Sequence, residues 1–144
     1  MEEQKILLRA VIEIAGFPKE HIEQTMGKLM ENIKENYNVH KFDVFEANQI
    51  KEVWSTFAEA EIYFDTVDKV IGFCIDYLPS SVEILEPLNV NIESFKFADI
   101  LNDLIGKLHQ YETVIRNFRA SNIKLKKELN KSEDETSIED TEDQ

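Results

Sequence analysis

An α+β domain followed by a long coiled-coil helix is the fold class the sequence predicts, and three observations predict it. Apolar residues alternate with a period of two over residues 6–14 and 54–64, as in strands with one dry face. Between these stretches apolar residues return every three or four positions, the spacing of an amphipathic helix. From Phe97 to Leu129 the spacing becomes a sustained seven-residue repeat.

The elements follow in order. Ile6, Leu8, Ala10, Ile12 and Ile14 share one face of a first strand, with Leu7, Arg9, Val11 and Glu13 on the other. Ala15-Gly16-Phe17-Pro18 ends it, with Pro18 placed as a first helical residue. Ile22, Met26, Leu29, Ile33 and Tyr37 then mark a helix of about five turns. Residues 39–46 read as a second strand, with Phe42 and Val44 on one face and imperfect alternation, and residues 47–53 as a connection or irregular strand end. In the third strand Trp54, Thr56, Ala58, Ala60, Ile62 and Phe64 oppose Ser55, Phe57, Glu59, Glu61 and Tyr63. Asp65 is placed to cap a second helix whose stripe is Val67, Val70, Ile71, Cys74 and Leu78, with Phe73, Ile75 and Tyr77 off it. Pro79 stops this helix, and Val82 to Leu85 form a fourth strand. Leu88, Val90 and Ile92 alternate as a further edge strand would. The order β-α-β-β-α-β, with two helices to cover one sheet face, is that of a ferredoxin-like sandwich.

The heptad places Leu101, Leu108, Ile115, Asn122 and Leu129 at a and Phe97, Leu104, Tyr111, Phe118 and Leu125 at d. A helix from Ser94 to Leu129 would extend about 54 Å, longer than a small domain can bury, so it calls for a partner. Ile100, Ile105 and Val114 at e and g widen the apolar face early, whereas Arg119, Ser121, Lys126 and Glu128 narrow it later. Asn122 at an a position is best placed opposite another Asn122, as in a parallel homodimer, where Lys107 at g faces Glu112 at e. The competing arrangement is a single helix folded back on its own sheet.

The net charge of −13 over 144 residues divides along the chain. Residues 1–115 carry 10 basic and 21 acidic side chains, residues 116–131 six basic and one acidic, and residues 132–144 seven acidic and none basic. The last segment holds one apolar residue, Ile138, and reads as a disordered acidic tail that screens the basic helix end. The expected organisation is a sandwich domain over residues 1–92, a coiled-coil helix over 93–130 and a tail over 131–144. The apolar run at residues 6–14 is interrupted by Arg9 and Glu13 and too short to span a bilayer. With a single cysteine, which excludes an intrachain disulfide, the expectation is a cytoplasmic protein with no membrane association.

Catalytic constellations are sparse. His21, His40, His109 and Cys74 are scattered, so neither a metal nor a cofactor is expected, and Cys74 on a helical stripe reads as an inert thiol. Ser55-Thr56 and Ser80-Ser81 lack a glycine elbow. Glu59 and Glu61 form a regular carboxylate pair flanked by Phe57 and Tyr63, with no recognised nucleophile or cation beside them, and so read as an interface face rather than an acid/base pair. Sheet aromatics can stack RNA bases, but residues 1–92 hold eight basic against 17 acidic side chains, which repels phosphates. Only the basic helix end, Arg116, Arg119, Lys124, Lys126, Lys127 and Lys131, could attract a polyanion.

The stretches IAGFPKEHIE, WSTFAEAEIYF, FCIDYLPSSVEILEP and LHQYETVIRNFRASNIKLKKEL together resemble a small group of uncharacterised archaeal proteins over about residues 5–130. This resemblance brings no activity with it. The element order also resembles ACT and related ligand-sensing domains, which implies dimerisation and amino-acid binding at the turn after the first strand. Here that turn contains Gly16 and Pro18 but lacks the acidic-x-Pro-Gly order of such turns.

The leading expectation is a non-enzymatic, homodimeric adaptor, joined through the heptad helix and offering Phe57, Glu59, Glu61 and Tyr63 to a protein partner. A ligand-sensing domain with its site near Gly16 and Pro18 is the alternative. A nucleic-acid-associated protein acting through the basic helix end is the third.

Overall fold

The structure, a computed structural model, describes residues 5–142, with side chains through residue 136. The chain divides into two compact units, Met1–Ile100 and Leu101–Gln144. The first contains β1 (Ile6–Gly16), α1 (Lys19–Asn36), β2 (Asn38–Val44), β3 (Asn48–Ile50), β4 (Val53–Phe64), α2 (Val67–Tyr77) and β5 (Ser81–Glu86). The last helix, α3 (Ser94–Glu142), begins in this unit and supplies all of the second.

The sheet is antiparallel in the order β2-β4-β1-β5, with β3 paired to the start of β4. β1 pairs with β4 in the register Ile6↔Phe64 to Gly16↔Trp54, so even-numbered residues of both strands meet on one face. That shared parity creates the core: Leu8, Ala10 and Ile12 of β1 and Ala58, Ala60 and Ile62 of β4 pack with Met26, Met30 and Ile33 of α1 and with Phe73 of α2. Both helices therefore cover the same face of the sheet, as two single-faced strands require.

The imperfect alternation of β2 has a physical cause. Val39 pairs with Ile62 and Lys41 with Glu61, leaving His40 as an extra residue at a register shift. The parity of the strand flips there, so Phe42 and Val44 lie opposite the core residues Ala60 and Ala58. Part of the expected connection over residues 47–53 is itself β3, which turns back onto β4 through Lys51, at a φ of 57°.

α2 keeps Val67, Val70 and Cys74 of its expected stripe against the core, adds Phe73 and Tyr77 from outside it, and loses Leu78. Val70 and Phe73 are its buried residues, with Val67, Cys74 and Tyr77 packed beside them, whereas Leu78 is 63% exposed. Aromatic packing rotates the helix: the Phe73 ring lies 5.2 Å from Tyr37, 5.6 Å from Phe64 and 5.0 Å from Tyr77. Leu78 ends the helix in the left-handed conformation at φ 47° and ψ 58°, which takes its side chain off the stripe. The N-cap is Thr66, whose Oγ1 accepts from the Lys69 backbone N–H at 3.4 Å, rather than Asp65, which pairs with Lys69 Nζ at 3.3 Å. Pro18 likewise occupies the N-cap of α1 rather than its first helical position.

Residues 88–92 form no strand, and α3 follows at Ser94. Its Lys96 Nζ lies 3.9 Å from Asp68 Oδ2 in the first turn of α2. At 1.5 Å per residue the 49 residues of α3 extend roughly 73 Å. The helix continues to Glu142, through the segment expected to be a disordered tail. Propagation adds one hydrogen bond per residue once a helix is nucleated, so 132–142, without Gly or Pro, can extend it without burying apolar surface. Ser132 Oγ donates to the Leu129 carbonyl at 2.9 Å and Thr136 Oγ1 to the Ser132 carbonyl at 2.7 Å, so these hydroxyls find partners inside the helix.

Candidate functional site

The uncovered face of the sheet carries the odd-numbered residues of β1 and β4. Arg9 stands at its centre because the register sets it opposite Glu61 on one side and Glu83 on the other. Its Nη2 donates to Glu61 Oε1 at 3.2 Å and its Nη1 to Glu83 Oε2 at 3.1 Å. Nε faces Glu59 Oε1 at 3.1 Å as an ion pair, without hydrogen-bond alignment. The hydrogen bond to Glu61, with the charges of Glu83 and Glu59, raises the Arg9 pKa above its ordinary value. Lys41 and Asp43 of β2 complete a shallow polar depression with Arg9, Glu59 and Glu61.

The expected partner residues Phe57, Glu59, Glu61 and Tyr63 thus share one face, but the carboxylates there have a cation among them. Reading β4 alone missed Arg9 because the strand that supplies it lies some 50 residues upstream in the chain. The signal available was a lone basic residue on the mixed face of the first strand. The aromatics have neighbours too: Phe57 packs with Phe45 at 5.9 Å, and Tyr63 with His40 at 5.4 Å and under Lys5 Nζ at 4.4 Å. One guanidinium holding three carboxylates from two neighbouring strands makes this face a cross-strand tie. Arg9→Met is expected to lower the melting temperature by about 2–4 °C at low salt, with the loss shrinking in 1 M NaCl as mutual repulsion of the carboxylates is screened. An unchanged melting temperature at low salt would refute the tie.

The turn after β1 is closely packed. A Cβ on Gly16 would meet Ile22 Cγ2 at 3.2 Å, so glycine lets the strand end approach α1. Beyond Pro18, Lys19 Nζ donates to Glu46 Oε1 at 2.9 Å and lies 5.3 Å from the Trp54 ring centroid. This hydrogen bond lowers the Glu46 pKa below the ordinary glutamate value and raises that of Lys19. Ser55 and Thr56 are buried and occupied: Ser55 Oγ donates to Glu13 Oε1 at 2.8 Å and Thr56 Oγ1 to the Phe45 carbonyl at 2.7 Å. Burial pushes the Cys74 thiol up, keeping it protonated at neutral pH. Among the described residues there is no group of three or more potential metal ligands, and no helix is long and apolar enough to cross a membrane.

In the second unit every residue over 101–136 is exposed. The a and d positions Leu101, Leu104, Leu108, Tyr111, Ile115, Phe118, Leu125 and Leu129 range from 41% to 67% exposed, and with Asn122 they form a continuous stripe along α3. Arg119, Lys124, Lys126 and Lys127 lie on the same exposed stretch. Arg116 Nη2 donates to Glu112 Oε1 at 2.6 Å, so Glu112 already holds a cation on its own helix.

A five-stranded antiparallel sheet covered on one face by two helices, followed by a long helix with an uncovered apolar stripe, defines the class: an α+β protein with an extended C-terminal helix. The chain belongs to the MJ0538 family, which matches residues 7–144. It is 26% identical over 110 residues to "Uncharacterized protein MJ0538" of Methanocaldococcus jannaschii, covering 74% of this chain and 42% of that relative. The chain therefore spans about two fifths of the length of the curated relative it matches. No solved structure matches it.

Proposed function

We propose that this protein is a non-enzymatic, cytoplasmic, homodimeric adaptor: a ferredoxin-like sandwich, with β3 as an added strand, that pairs with a second copy through a parallel coiled coil of α3 and docks a protein partner on the Arg9 face. The observation that carries this reading is the exposed heptad stripe. Burying a Leu or Ile side chain contributes about 1.5–3 kcal/mol relative to leaving it in water, and α3 offers Leu or Ile at six of the nine a and d positions from Leu101 to Leu129, with Tyr111 and Phe118 at two more. A second copy presents the same stripe, so the two match in length and register without further assumption. The strand order β2-β4-β1-β5, with α1 and α2 on one face, supports the sandwich assignment.

Asn122 supports the parallel orientation, because in register its amide meets its own copy. The flanking charges do not favour pairing uniformly: Glu128 at g would face Glu133 at e, so stabilisation concentrates upstream of Leu125. Light scattering on the full chain tests the reading, and a monomeric mass at tens of micromolar overturns it. Asn122→Val is expected to raise the melting temperature by several degrees and to admit higher oligomers. A variant that stays strictly dimeric without stabilisation removes Asn122 from that role.

A further inference from the structure

The two edges of the sheet are guarded unequally. At one edge, β2 carries Lys41, a register shift after Val39, and a cover from α1, whose Lys34 Nζ lies 3.2 Å from the Phe42 ring centroid. A charged side chain, an irregular register and a covering group each discourage another strand from pairing. At the other edge, β5 has β1 as its one neighbour among the described strands, and SVEILE contains no Lys, Arg, Pro or Gly. Val82 and Ile84 are paired to Ala10 and Leu8 and share their face, yet they are 48% and 46% exposed where Ala10 and Leu8 are fully buried. Glu83, which points to the opposite face, is already tied to Arg9. The register irregularity of β5 falls at Leu85, so Ser81 to Ile84 remain regular.

We infer that this edge pairs with β5 of a second copy, antiparallel and centred on Val82, to join the two sheets. A strand meeting itself antiparallel is the self-complementary contact a two-fold dimer requires. Identical strands related by a two-fold normal to the sheet keep each side chain on its face, so opposed residues must share parity. Of the registers that satisfy this, centring on Glu83 sets two carboxylates opposite each other, and centring on Ile84 draws the irregular Leu85 into the pairing. Centring on Val82 sets Val82 against Val82 and Glu83 against Ser81, with no like-charge pair.

A pairing of three β5 residues, Ser81 to Glu83, is weak between free molecules, so the inference rests on the α3 seam to supply the second copy. Seven residues, 87–93, join β5 to α3, at most about 25 Å when extended. Helices packed 8–10 Å apart in a parallel pair would therefore hold the two edges at an effective concentration in the millimolar range.

The test uses the full chain carrying Cys74→Ser, with either Val82→Cys or Ile84→Cys added, under mild oxidation, alongside the light-scattering mass of the unmodified chain. Val82→Cys is expected to form a disulfide-linked dimer at least about tenfold faster than Ile84→Cys, whose self-pair would stand about 13 Å apart along the strands, beyond disulfide reach. Hydrogen exchange at residues 81–83 is expected to be slow in the unmodified dimer and to quicken in Val82→Lys with the mass unchanged. A dimeric mass with equal cross-linking rates, or with exchange unaffected by Val82→Lys, overturns the edge pairing and leaves the seam standing. A monomeric mass overturns the seam, and the edge pairing with it.

Discussion

Replacing Leu108 and Ile115 together by lysine in the full chain is expected to convert the proposed dimer into a monomer, weakening association at least about a thousandfold. In the proposed dimer each substitution would take an aliphatic side chain out of the seam in both copies and set a cation there, so four positions change at once. The first unit should be untouched. Leu108 and Ile115 are 56% and 49% exposed in the single chain, and the core lies among β1, β4, α1 and α2. Sedimentation or light scattering reads the mass, while circular dichroism and the Trp54 fluorescence transition report the sheet domain. A mass unaffected by the double substitution would show that α3 is not the seam, and a shifted Trp54 transition would show that the stripe serves the sheet domain instead.

Phe73→Ala is expected to destabilise the first unit by about 3–5 kcal/mol, a large part of a small domain's total stability. Phe73 is fully buried among Tyr37, Phe64 and Tyr77, and truncating it leaves a cavity that three rings can only partly fill. The matched control is Leu78→Ala, expected to cost no more than about 0.5 kcal/mol because that side chain is 63% exposed. Urea denaturation followed at Trp54 measures both. A Leu78→Ala loss equal to that of Phe73→Ala would restore the stripe that α2 was expected to use and contradict the packing described above.

That pair of residues also shows where sequence reading reached and where it stopped. On α1, Ile22, Met26 and Ile33 of the expected stripe are buried and Leu29 and Tyr37 half-buried, with Met30, one position beyond Leu29, buried as well. On α2, short and apolar on more than one side, several faces satisfy the same periodicity, and the rings of Tyr37 and Phe64 selected among them. The second strand reads imperfectly because an inserted residue at His40 reverses its parity, and such a shift is visible only against a partner strand. Glu59 and Glu61 were legible as a pair on one strand face. Their cation was not, because Arg9 reaches them through strand pairing, and its other carboxylate, Glu83, comes from a third strand. The acidic segment over 132–142 lies within α3 for another reason: composition speaks to burial, whereas the continuation of a helix already begun depends on propagation.

The sequence by itself determined the local periods: which stretches alternate, which face of each long strand is apolar, and the heptad phase of α3. These are properties of the chain's own geometry, in which a side chain's direction follows from its position along a strand or helix. Tertiary structure decided what meets across the gaps, namely the even-with-even register that creates the core, the rotation of α2 and the Arg9 tie across three strands. Each depends on contacts between segments far apart in the chain, and a one-residue change in register would send every one of those side chains to the other face.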